Sequence, residues 1–119
     1  MLWRSGKPNI KIRKAAILVF TKMLKKKLFP SGDLYQIYSD IIAPLKDCLE
    51  DDWAADLRMS SIHYCQLLIS ALTDFLDSIE LSNLRSILLY RLDDAQDAIR
   101  IETTVALRAF LRCKNVSLL

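Results

Sequence analysis

The sequence predicts an all-α chain, a solenoid of antiparallel helix pairs, and three observations carry that expectation. The first is composition. The 119 residues include only two Gly and three Pro, and 52% are apolar, rich in Leu and Ile. That balance suits a helical domain with an aliphatic core. The second is an internal repeat. Ile12-Arg13-Lys14-Ala15-Ala16, Leu57-Arg58-Met59-Ser60-Ser61 and Ile99-Arg100-Ile101-Glu102-Thr103 align, each an aliphatic residue followed by Arg. A small pair follows in the first two copies, replaced by Glu102 and Thr103 in the third. The arginines lie 45 and then 42 positions apart, which falls in the period of HEAT and armadillo units. The third is punctuation: an acidic turn precedes two of the three copies.

The elements follow in order. A first helix is expected over 9–27, with Pro8 at its first turn, where a missing N–H does no harm. Its Ile12, Ala16, Val19, Phe20 and Met23 repeat at helical spacing and are expected to form the buried face. Phe29-Pro30-Ser31-Gly32 breaks the pattern. A second helix over 33–49 takes Ser31 or Asp33 as its cap. Pro44, inside it, is expected to kink it. Further helices are expected over 54–72, 81–92 and 97–113. Asp52 precedes Arg58 by six places and Asp94 precedes Arg100 by six, while Lys7 holds the matching place in the first copy. The chain therefore divides into a half repeat at 1–29 and two repeats at 30–76 and 77–119. A repeat helix cannot bury its apolar face alone. Both ends of the stack are thus expected to meet further repeats or a partner, and the last helix runs on to Val116, Leu118 and Leu119.

Charge is segregated. Residues 1–32 hold nine Lys or Arg and no acid, whereas 33–119 hold eight basic and fourteen acidic groups, a net −6. Such asymmetry points the basic end towards an anionic partner. Lys22, Lys25, Lys26 and Lys27, with Trp3, are the candidate partner-binding residues. The plainer reading of the lysines is a solvated helix face, favoured near a helix C-terminus by its dipole. No aromatic residue interleaves them, so nucleic acid is not the expected partner. Trp3 and Trp53 each precede a repeat helix, as an interface anchor or as a staple packing a turn. Arg13, Arg58, Arg100, Asp52, Asp94 and Pro44 are expected to be structural repeat positions, the arginines pairing with acidic turns. Exposed pairs of that kind contribute roughly 0–1 kcal/mol.

No catalytic, cofactor or metal site is expected. Cys48, Cys65 and Cys113 are scattered, with no CxxC, and His63 is the single histidine, a poor basis for zinc. Free buried thiols are the default. The acidic clusters lack calcium-loop spacing and its glycine. No signal peptide is evident, and no apolar run approaches a membrane span.

Three stretches carry a closer resemblance. They are Leu2-Trp3-Arg4-Ser5-Gly6-Lys7 leading to Ile12-Arg13; Leu49-Glu50-Asp51-Asp52 leading to Leu57-Arg58; and Leu89-Tyr90-Arg91-Leu92-Asp93-Asp94 leading to Ile99-Arg100. With the proline of Ile42-Ala43-Pro44-Leu45, they resemble the C-terminal repeats of the HEAT-repeat axonemal dynein assembly factor. The Trp-x-x-Gly-basic lead into a repeat helix is the most discriminating part. The resemblance implies a non-enzymatic cytoplasmic scaffold for preassembly of axonemal dynein arms. It implies protein partners: dynein chains, chaperones or other assembly factors. A transport or phosphatase adaptor of HEAT type, or a basic-helix nucleic-acid module, are the alternatives. The long run of N-terminal repeats and the final repeat of that family have no counterpart here.

Overall fold

Six α-helices organise residues 10–51 and 54–113, the part of the chain that this computed structural model describes. They are α1 (Ile10–Lys25), α2 (Ser31–Gln36), α3 (Tyr38–Leu49), α4 (Ala55–Ala71), α5 (Ser78–Leu89) and α6 (Asp97–Ala109). Short 3-10 turns extend α5 at Tyr90–Asp93 and α6 at Phe110–Arg112. No strand occurs among the described residues.

Each boundary has a local cause. α1 ends in a Schellman turn: the Lys27 N–H donates to the Leu24 carbonyl at 3.1 Å and the Leu28 N–H to the Met23 carbonyl at 3.2 Å. Lys27 takes the left-handed conformation that this motif requires, φ 52°, where glycine is the usual occupant. α5 starts at Ser78, earlier than the sequence suggests, because Asp77 and Glu80 form a capping box. The Asp77 carboxylate accepts from the Glu80 N–H at 2.8 Å, and Glu80 accepts from the Asp77 N–H at 3.1 Å. The expected second helix is divided in two, and the interruption is at Ile37, not at Pro44. Ile37 leaves the α region at φ −100°, ψ 7°. Pro44 stays within α3. The one acceptor deprived of a donor there is the carbonyl of Asp40, four residues back, an exposed residue that water can serve.

α4 is the centre of the packing. It lies against α1, α3 and α6, while α5 packs on α6 and α3. Cross-helix contacts fix direction. Lys14 meets Asp56 at 3.3 Å, and six places on the Phe20 ring lies 6.4 Å from that of Tyr64. Arg58 meets Asp94, and eight places on Gln66 donates to Glu102 at 3.0 Å. Residue numbers rise together in both pairs, so α1, α4 and α6 run the same way. One apolar cluster extends from Ile17 through α4 to Phe110 and Cys113.

The small-residue position three after each Arg has a packing reason. Ala16, Ser61 and Thr103 are all buried. The Ser61 and Thr103 hydroxyls donate back to Leu57 O and Ile99 O, each at 2.7 Å, which satisfies them without a partner from outside the helix. The position before it is not constrained: Ala15 is exposed and Glu102 is half-buried, so the third copy tolerates a glutamate there.

The buried face of α1 differs from the expected one. Arg13, Ala16 and Ile17 are buried, with Phe20 and Leu24 packed on the core, whereas Ile12 and Val19 are 47% and 54% exposed. The equivalents of Ile12 in the later copies, Leu57 and Ile99, are buried. α4 has α3 beside it and α6 has α5. Among the described residues no helix pairs with α1 in that way, so its apolar stripe faces outward.

Candidate functional site

The three arginines of the repeat line up in a ladder. Arg13 of α1 reaches the Asp51 carboxylate in the turn before α4. Arg58 of α4 donates to the Asp51 carbonyl at 3.0 Å, and its Nε and second guanidinium nitrogen grip the Asp94 carboxylate at 2.6 and 3.1 Å. Arg100 of α6 donates to the Asp94 carbonyl, repeating the bond of Arg58 to Asp51, and pairs with its own Asp97. Each aspartate thus takes one arginine on its carboxylate and the next on its carbonyl. Arg13, Arg58 and Asp94 are buried, and this planar, bidentate arrangement suits guanidinium better than ammonium. Burial by itself would raise the Asp94 carboxyl. The Arg58 hydrogen bond, the Gln96 N–H and the charges of Arg58 and Arg91 outweigh it and hold the group below its ordinary value of 3.8.

Two residues of the ladder do not stand out in the sequence. Asp51 is the residue that Arg13 and Arg58 share, Arg13 on its carboxylate and Arg58 on its carbonyl. The six-place register selects Asp52, which lies outside the described residues. Arg91 adds a second donor to Asp94 at 3.1 Å, and Tyr90 lies 4.8 Å from its guanidinium. Both belong to stretches already marked as acidic turns, but a one-residue choice within a turn depends on loop geometry. Trp3 also lies outside the described residues.

Lys22, Lys25, Lys26 and Lys27 are all exposed at the end of α1, and none forms an ion pair among the described residues. They do not stand on a bare helix end. Beside them a cleft of about 670 Å³ opens between the end of α1, the start of α2 and the end of α4. Exposed Lys25 and Lys27 line it together with Asp74, as do the more buried Leu24, Leu34 and Leu67 and the aromatic rings of Phe29 and Phe75. A smaller apolar cavity of about 220 Å³ adjoins it, sharing Leu24, Phe29 and Leu34. Phe75 is steadied by Tyr35, 5.8 Å away between ring centres, whose hydroxyl donates to Glu80 at 2.8 Å.

A second open surface lies between α1 and α4. Leu18 and Lys25 of α1 border a shallow groove of about 370 Å³ with His63 and Gln66 of α4. On α6, Ile101 and Val105 are 63% and 38% exposed. His63 sits 3.4 Å from Glu102, a pair that is ionic when the imidazole is protonated.

Reactive groups lie elsewhere, in the core. Cys48, Cys65 and Cys113 are free and buried. Burial pushes the Cys48 thiol up to about 11 despite Arg13 nearby, and raises the other two. A thiol so shifted is a poor nucleophile. Among the described residues no three His, Cys, Asp or Glu gather as metal ligands, and no helix is long and apolar enough to cross a membrane. The class defined is an all-α protein of six described helices, with an arginine–aspartate ladder and a basic, aromatic cleft. No family model, curated protein or solved structure matches the chain.

Proposed function

We propose that the chain is a segment of HEAT-type solenoid acting as a non-enzymatic scaffold that binds other proteins. The observation that carries this reading is the parallel run of α1, α4 and α6, held in register by Arg13, Arg58 and their aspartates. A helix repeated in one direction at a period near forty residues is the geometry of stacked repeat units. Exposed Leu18, Ile101 and Val105 across that stack give a surface suited to a polypeptide.

The narrower role, preassembly of axonemal dynein arms in the cytoplasm, rests on the resemblance in the three stretches quoted from the sequence. Its partners are then dynein chains, chaperones or other assembly factors. The test is affinity purification of the tagged chain from ciliated cells, with mass spectrometry of what is retained. Enrichment of dynein-arm subunits over a tag-only control is expected. Recovery of transport or phosphatase subunits instead would replace the dynein role by that of a generic adaptor, and recovery of no protein at all would remove the scaffold reading.

A further inference from the structure

The cleft at the end of α1 combines features that the ladder and the stack do not need. Lys25 and Lys27 line it, and Lys22 and Lys26 stand exposed in the same part of the chain. Helix-dipole compensation is a small effect confined to the last turn, and four lysines exceed what it asks for. Leu24, Leu34 and Leu67, buried or half-buried, line the same cleft. Phe29 and Phe75, each 41% exposed, line it as well. The volume, about 670 Å³, falls within the range of ligand pockets. Lys27 also holds a left-handed backbone, a conformation that is unfavourable for an L-residue and free to glycine.

We infer that this cleft docks an acidic linear segment of a partner protein, which seats a large apolar side chain between Phe29 and Phe75 while its carboxylates meet Lys25 and Lys27. The inference rests on the scaffold reading and specifies one surface of it. Charge complementarity selects the occupant. Among the described residues Lys25 and Lys27 line the larger cleft against the single acid Asp74, and Asp40 lines the smaller cavity; exposed Lys22 and Lys26 beside the cleft tip the local balance to positive. The undescribed ends of this chain are unsuitable, because residues 1–9 and 114–119 contain basic groups and no acid. The exposed acids of a second copy, such as Asp56 and Asp97, stand in the first turns of α4 and α6 and not on a free linear segment, and sedimentation distinguishes that occupant.

The experiment selects a random displayed-peptide library on the immobilised full chain, then measures affinity of the enriched peptides by fluorescence anisotropy. Enriched peptides are expected to carry one or two large apolar residues flanked by Asp or Glu. Their binding should weaken as salt is raised. Lys25→Glu with Lys27→Gly is expected to lower affinity on the order of tenfold or more, and Phe29→Ala likewise, while Lys25→Arg retains it. Lys27→Gly relieves the left-handed backbone, so that single variant folds at least as well as the parent, as thermal melting would verify, and still binds more weakly. Enriched peptides without acids, peptides insensitive to these substitutions, or no enrichment would each overturn the inference. So would sedimentation showing a dimer abolished by the same variants, or capture of phosphatidylserine vesicles or single-stranded RNA in place of peptides. Repeating the cell purification with Lys25→Glu/Lys27→Gly separates the two readings. Unchanged partners would sink the cleft and leave the scaffold standing, whereas no partners with either chain would sink the scaffold.

Discussion

At the residue scale, Asp94 is a tightly held charge. Arg58 binds it through two nitrogens, Arg91 through one, and the Gln96 N–H donates to it at 2.9 Å. Truncating one partner of a buried ion pair leaves the other desolvated and uncompensated, which costs about 3–5 kcal/mol. Arg58→Ala leaves Asp94 with Arg91 and the Gln96 N–H but removes its two-nitrogen partner and the donor to the Asp51 carbonyl, so it is expected to destabilise the chain by about 3 kcal/mol, the lower end of that range, read from urea denaturation. A loss below about 1 kcal/mol, the figure for an exposed pair, would show that the ladder is not buried in solution. The same carboxylate sets a pH dependence. Its folded pKa lies below the ordinary 3.8, so its contribution is complete above that value. The contribution disappears as pH falls through the lower folded value. In a denaturation series, Asp94→Asn is expected to be less stable than the parent at neutral pH and to lose less on acidification below 3.8. Parallel acid limbs would count against the ladder.

At the element scale, α5 is defined by its cap. Replacing a capping residue with Ala costs about 0.5–2 kcal/mol, so Asp77→Ala is expected to destabilise by about 1 kcal/mol and to speed amide exchange in the first turn of α5. Unchanged exchange there would mean that packing alone positions the helix start. The Asp77–Glu80 spacing is a capping signal in the sequence, and the expected start at 81 passes over it. Five helical stretches, the break at 29–32 and the Arg-centred repeat were all legible, because they follow from local periodicity and turn chemistry. The division at Ile37 was not. On one side of it Tyr35 is drawn to Glu80 and Phe75, and on the other Tyr38 is buried in the core. Those partners lie about forty residues away, so no local window holds them. Pro44 was a stronger local signal and proved compatible with a continuing helix.

At the scale of the whole molecule, the charged rim of the cleft was visible as a lysine run, but its aromatic walls were not. Phe29 and Phe75 are 46 positions apart and line one cleft only because the ends of α1 and α4 are brought together by packing. The same packing makes stability uneven. α4 is covered by α1, α3 and α6, whereas α1 has substantial contact with α4 alone among the described residues. Its outer stripe of Ile12 and Val19 is exposed. On the proposed reading as stacked repeats, the helices form a row of units coupled to their nearest neighbours, and a unit with one neighbour opens more easily than one with neighbours on both sides. Native-state hydrogen exchange is expected to find the α4 amides exchanging only through global unfolding and the α1 amides through a partial opening of lower free energy. Ile17, fully buried where α1 meets the core, gives the perturbation. Ile17→Ala removes several buried carbons, a change worth about 2–5 kcal/mol in a well-packed site. It should narrow protection in α1 first while α6 keeps its rank. If α1, α4 and α6 instead lose protection together in the parent chain, with one common free energy, the molecule is a single cooperative bundle and the row of coupled repeats is the wrong description of it.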